Sequence, residues 1–269
     1  MKTSNFRRIA AAAAVALCAA GADAKVVLPH FVTDSMVVQQ QSLWTITGRS
    51  SGSRVKVRAS WSRHALTAKV MSDGTFSIRL ATPKAGGPYT ITFDDGDRTT
   101  LRDIYSGEVW LCSGQSNMEM PVGGWGKVMN YWHEIMSANH PEVRFLQISK
   151  QRSFVPAADT DVNMGGWRTC TPETVENFSS VAYFYAREMS RRLGVHVGVI
   201  DCTWGGTPAE AWSSYAGVSS VEGFENETGM MADNGFDKDR IKAEYERRVA
   251  EWVSRILPRW PTTSVSGSS

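Results

Sequence analysis

Apolar and polar positions alternate with a period of two through much of residues 25–105. In Thr75-Phe-Ser-Ile-Arg-Leu80, apolar Phe76, Ile78 and Leu80 are spaced by polar neighbours, the pattern of a strand with one face buried. Further short runs are Val26–Leu28, Met36–Val38, Leu43–Thr47, Arg54–Ala59, Ala65–Val70 and Tyr89–Phe93. Turn signals separate them, at Ser51-Gly-Ser, Ser72-Asp-Gly, Gly86-Gly-Pro and Asp94-Asp-Gly. Several short strands at this spacing predict a β-sandwich-like N-terminal domain over residues 25–105. From residue 106 the period changes. Glu108–Cys112, Val143–Ile148 and Val195–Cys202 read as buried strands. Between the last two, Val181, Ala182, Tyr185, Met189 and Leu193 recur at helical spacing, with Gly194 placed to end the helix. A last helix is expected from Asp239 as N-cap to Leu257, with Ile241, Tyr245, Trp252, Val253 and Ile256 as its apolar face. Strands alternating with helices predict an α/β domain with a largely parallel sheet over residues 106–257. The Pro-, Ser- and Thr-rich residues 258–269 are expected to be a disordered tail.

Composition narrows the picture modestly. The 269 residues are 42% hydrophobic and 21% charged, which is ordinary for globular proteins, and the net charge of +2 gives no reason to expect a nucleic-acid partner. The N-terminus says more. Lys2, Arg7 and Arg8 precede an apolar run from Ile9 to Ala20, and Ala22-Asp-Ala24 follows as an A-x-A cleavage pattern. Residues 1–24 therefore read as a secretory signal peptide, which predicts export to a periplasmic or extracellular location. No later segment has the pattern of a membrane helix. Cleavage would remove Cys18 and leave Cys112, Cys170 and Cys202, an odd number, so at least one thiol is expected to be free or to pair between chains. There is no C-x-x-C, and no metal or cofactor is expected.

Two glycine-bearing loops follow predicted strands, where ligands bind in open α/β sheets. Ser113-Gly-Gln-Ser-Asn117 follows Glu108–Cys112, and Trp204-Gly-Gly-Thr-Pro208 follows Val195–Cys202. A serine at a strand-to-helix turn can present its Oγ above the sheet, and a glycine pair on the next loop lets a second backbone N–H approach the same point. Residue types alone leave two readings of Ser116, a nucleophile for acyl transfer or a helix cap with the glycines serving tight turns.

The stretch "SGEVWLCSGQSNMEMPV", residues 106–122, resembles the nucleophile block of the sialate O-acetylesterase family, which belongs to the wider SGNH-type hydrolases. "IDCTWGGTPAEAW", residues 200–212, resembles the second block, and "LPHFVTDSMVVQQ", residues 28–40, resembles the start of the family's N-terminal β-domain. The resemblance implies a flavodoxin-like, SGNH-like hydrolase domain, here C-terminally incomplete. It implies Ser116 as nucleophile, with the N–H groups of Ser116 and of Gly205 or Gly206 as oxyanion donors. Gly114, Gln115 and Asn117 would shape the loop, while Glu210, Trp204 and Trp212 are possible substrate contacts. The implied partner is an O-acetylated sugar or glycan. Acetylated xylan or another glycan is the alternative substrate, and a non-catalytic carbohydrate-binding protein using Trp44 and Trp61 is the alternative class.

The resemblance also exposes a gap. The family places its catalytic histidine in a late Asp-x-x-His block, and no aspartate of this chain has a histidine three residues later. Of the five histidines, only His133 is close in sequence to the nucleophile loop. The base is therefore expected beyond the C-terminus, and the chain as it stands is expected to be catalytically incomplete, with apolar surface left uncovered.

Overall fold

The computed structural model describes residues 25–153 and 155–256. The expected signal peptide and C-terminal tail lie outside the described residues. The strands are β1 (Val37–Gln39), β2 (Leu43–Arg49), β3 (Arg54–Ala59), β4 (Leu66–Lys69), β5 (Thr75–Ala81), β6 (Gly86–Asp94), β7 (Arg98–Gly114), β8 (His140–Gln147), β9 (Arg168–Cys170) and β10 (Val197–Thr203). The helices are α1 (Ser116–Glu119), α2 (Tyr131–Ser137), α3 (Pro172–Val175), α4 (Ser180–Leu193), α5 (Tyr215–Ser219), α6 (Glu225–Asp233) and α7 (Lys238–Ile256). The architecture is mixed α/β.

One sheet runs in the order β4-β3-β6-β7-β10-β8-β9, with β1 paired to β7, and β2 and β5 form a separate two-stranded ribbon. The β-rich end is antiparallel, while β7, β10 and β8 are mutually parallel, as the alternating pattern predicts. Strand β7 is 17 residues long and crosses residues 105–106 without interruption. Its first half pairs with β6 and its second half with β10. The two parts of the chain therefore share one strand rather than meeting at a linker.

Two apolar cores result. In the first, Ile46, Phe76, Ile78 and Leu80 of the β2–β5 ribbon pack with Val55, Val57, Ile91 and Phe93 of the large sheet. Trp61 donates to the Ala81 carbonyl at 3.0 Å and meets Tyr89 edge-on, so it is a packing residue of this region. The second core lies under α4 and contains Val143, Phe145, Val197, Val199, Phe178 and Tyr183, with Phe145 and Phe178 stacked at 4.0 Å between centroids.

Helix α4 starts from a Ser179 cap and stops at a left-handed Gly194, as expected. Its buried face differs from the expected one. Ser180, Ala182, Tyr183, Ala186 and Ser190 face the sheet, whereas Val181, Tyr185 and Leu193 are exposed. Small residues on the inner face let the helix backbone approach the strands closely, and that packing outweighs the larger stripe one position away. In α7 only Ile241 is buried, and the expected partners Tyr245 and Trp252 are more than half exposed. The three thiols are free, with Cys112 and Cys170 buried. Burial pushes the Cys112 thiol up to about 11 and that of Cys170 to about 12, which keeps both protonated and unreactive near neutrality. No helix among the described residues is long and apolar enough to cross a membrane.

The parallel junction is tightest at Gly107, where β1 ends beside β7 and β10 begins. A Cβ there would sit 2.0 Å from the His196 carbonyl oxygen, a backbone atom that cannot rotate away. Gly107→Ala is predicted to destabilise the fold by about 3 kcal/mol or more, read from urea unfolding. Gly229→Ala, inside α6 with nothing near its Cβ, is predicted to be neutral or stabilising by up to about 1 kcal/mol. Equal responses of the two variants would contradict the packing at Gly107.

Candidate active site

The parallel pairing of β7 and β10 ends with Thr203 opposite Gly114, so both strands release their loops at the same edge of the sheet. The Trp204 N–H donates to the Gly114 carbonyl at 2.9 Å and continues the ladder one residue into the loops. Gly114, at φ +149°, turns the chain into α1. The N-cap of α1 is Gln115, whose carbonyl accepts from the Met118 and Glu119 N–H groups at 2.9 Å each. Ser116 is the first helical residue, half-buried, and capping is not its role. Its backbone N–H belongs to the first turn, where the helix itself supplies no acceptor. Gln115 and Asn117 flank it with exposed side chains.

Gly205 lies beside the Ser116 turn. A Cβ at this position would stand 3.4 Å from Ser116 Cβ and 2.9 Å from Glu119 Oε2. A side chain at this position would press on the Glu119 carboxylate, so glycine lets the loop lie this close to the Ser116 turn. The Gly205 N–H donates to Glu119 Oε2, and the other carboxylate oxygen of Glu119 accepts from Lys150 Nζ at 2.5 Å. Glu119 thus ties the glycine loop to the helix carrying Ser116, with Lys150 balancing its charge. Of the two expected donors on this loop, the Gly205 N–H is committed to Glu119. Gly206, at φ +77°, is the more exposed of the pair and has open space around its Cα.

The loop beyond is held by its own side chains. Thr207 Oγ1 donates to the Trp204 carbonyl at 2.7 Å and accepts from Trp212 Nε1 at 2.7 Å. Trp212 therefore braces the glycine loop while leaving 38% of its surface exposed. Glu210 is the second residue of the short 3₁₀ turn Ala209–Trp212, and its Oε2 is buried without a hydrogen-bond partner among the described residues. Over the Trp204 ring lie two cations, Arg152 at 5.3 Å and Lys150 at 6.0 Å from the centroid. Both belong to the exposed loop after β8.

The histidines are engaged elsewhere. His30 pairs with Asp159 at 2.7 Å, His140 faces Glu142 at 3.6 Å, and His196 stacks on Tyr105 at 3.6 Å. His64 lies in an exposed turn of the β-rich region, and His133 is exposed on α2.

Sequence reading named the two loops but missed Glu119, Lys150 and Arg152. Glu119 was findable, since it lies three residues after Ser116 and so one turn along the same helical face. Lys150 and Arg152 sit in an irregular loop after β8 with no period or motif to mark them.

Residues 106–228 match the family model described as carbohydrate esterase, sialic acid-specific acetylesterase. The chain is 30% identical to the sialate O-acetylesterase of Pongo abelii over 201 residues, covering 68% of this chain and 38% of that protein. It is 29% identical to the human sialate O-acetylesterase, with the same coverage. Among solved structures it resembles a carbohydrate acetylesterase from Xanthomonas citri, with TM-score 0.65 and 31% identity, covering 71% of this chain and 43% of the other. The chain thus spans less than two fifths of the length of these curated relatives. The part of the chain that matches the family model, residues 106–228, is the part that carries Ser116 and the glycine loop.

Proposed function

We propose that this chain is the nucleophile-bearing part of a carbohydrate O-acetylesterase, which removes acetyl groups from sugar hydroxyls through an acetyl-Ser116 intermediate. The observation that carries this reading is the contact of Gly205 with Ser116, which brings the glycine loop against the serine at the common end of β7 and β10. Ser116 Oγ attacks the acetyl carbonyl, and its proton passes to a base. The oxyanion accepts from the N–H groups of Ser116 and Gly206, each such donor being worth about 3 kcal/mol in the transition state. The intermediate collapses as the sugar oxygen leaves and regains the proton. Water then releases acetate from Ser116. The five histidines of the chain do not supply this base in our reading.

The substrate we infer is an acetylated acidic sugar of the sialate type, as the names of the relatives suggest. Arg152, exposed beside Trp204, offers a guanidinium to a sugar carboxylate, whereas Lys150 is already bound to Glu119. A neutral glycan such as acetylated xylan would not use Arg152. We also read residues 25–105 as a sandwich-like module, supported by the packing of the β2–β5 ribbon on the large sheet. Residues 1–24 we read as a signal for export to the periplasm or outside the cell.

Mass spectrometry of the intact chain after exposure to a fluorophosphonate is predicted to show slow, single labelling at Ser116, absent in Ser116→Ala. A chain that takes no label while binding glycans through residues 25–105 would overturn the catalytic reading. Arg152→Ala is predicted to weaken binding of free N-acetylneuraminate by about tenfold, the size of one charge-assisted contact. Xylose-based oligosaccharides should be unaffected. Titration calorimetry separates the two, and equal loss for both sugars would contradict the acidic-sugar assignment.

A further inference from the structure

The glycine loop carries three successive backbone N–H groups, those of Trp204, Gly205 and Gly206, and two of them are engaged. The Trp204 N–H donates to the Gly114 carbonyl at 2.9 Å, and the Gly205 N–H donates to Glu119 Oε2. The Gly206 N–H has no acceptor among the described residues. The two glycines also serve different ends. At Gly205 a Cβ would meet Glu119 Oε2 at 2.9 Å, so this position is small because the carboxylate is there. At Gly206 nothing lies within 4 Å of a Cβ, and the left-handed φ of +77° is what favours glycine.

Glu119 is the group that makes this division. It ends the helix that begins with Ser116, and its side chain is 16% exposed. Its other oxygen accepts from Lys150 Nζ at 2.5 Å, and Lys150 comes from the loop after β8. An ion pair on an open surface contributes little. Here the carboxylate is largely withdrawn from water, and its second oxygen takes a backbone N–H, so both oxygens have charge-assisted bonds. Helix α1, the glycine loop and the loop after β8 thus meet on one carboxylate.

We propose that Glu119 is a positioning residue, which takes the Gly205 N–H out of the oxyanion site and holds the loop so that Gly206 is the donor left to it. The proposal rests on the reading of Ser116 as nucleophile for its catalytic meaning, while the tether itself stands on the two hydrogen bonds. The role needs an acceptor at the end of a side chain of this length. Glutamine supplies one, since its carbonyl oxygen can accept the Gly205 N–H, although it gives up the charge that holds Lys150. Aspartate keeps the charge but is one methylene shorter and falls short of the Gly205 N–H. Alanine removes both.

The test is amide hydrogen exchange of the intact chain, read by NMR and combined with fluorophosphonate labelling of Ser116. In the wild type the Gly205 N–H is expected to exchange at least about tenfold more slowly than the Gly206 N–H. Equal rates overturn the tether without any variant. In Glu119→Ala the protection of Gly205 is expected to vanish and labelling to slow by roughly tenfold to a hundredfold, as for a displaced oxyanion donor. Glu119→Gln is expected to restore the protection and most of the labelling rate, and Glu119→Asp to restore neither. Rescue by aspartate and not by glutamine would make charge the active property, and overturns the proposal. Protection lost in Glu119→Ala with labelling unchanged overturns it too. A wild-type chain that takes no label, yet loses Gly205 protection in Glu119→Ala, would keep the tether and reject Ser116 as nucleophile.

Discussion

The register of β7 against β10, which sets Thr203 opposite Gly114, is the constraint on which the rest of the structure depends. Parallel strands release their chains at the same edge, so the two loops meet there without any long excursion. The register is possible because Gly107 lets the start of β10 approach β7 at backbone contact distance, and because Gly198 leaves room for Val37 and Trp167 against β10. Strand β7 carries this constraint into the β-rich region as well, since its first half is a member of the same sheet. The Ser116 loop is thereby anchored to both apolar cores.

Around that frame the site is held by a small number of polar groups, each placed where a side chain of another type would cost more. Gly205 allows contact with Ser116, and Glu119 uses that proximity to accept the Gly205 N–H while Lys150 balances its charge. Asp201 is buried beneath the loops, bonded by Thr203 and Gln147 with no cation beside it. Burial pushes its carboxyl above the usual range, Glu119 adds to the effect, and the bonds from Thr203 and Gln147 oppose it. The outer rim is different in kind. Arg152 over Trp204 is exposed and has no carboxylate partner among the described residues.

Much of this was legible in the sequence for reasons that are local. Phe76, Ile78 and Leu80 face one core because strand periodicity is a property of consecutive residues. Ser116 and the glycine pair were marked by a contiguous block. Features set by distant parts of the chain were not legible. The first half of β7 was missed because Arg98–Arg102 is largely polar, and its strand is made by pairing with β6. The inner face of α4 was read only in part: Ala182 was expected, but Ser180, Ala186 and Ser190 are selected by closeness to the sheet, which hydrophobicity alone does not report. Asp201 looked like one polar residue in a buried strand, and its partner Gln147 comes from β8.

The central claim is that Ser116 and the glycine loop form one acyl-transfer site. The most direct measurement is a crystal structure of the chain carrying a small alkylboronate as a tetrahedral mimic. The account predicts boron bonded to Ser116 Oγ, with one boronate oxygen about 3 Å from the N–H groups of both Ser116 and Gly206. A boronate attached elsewhere, or bonded to Ser116 with its oxygens turned away from Gly206, would contradict it.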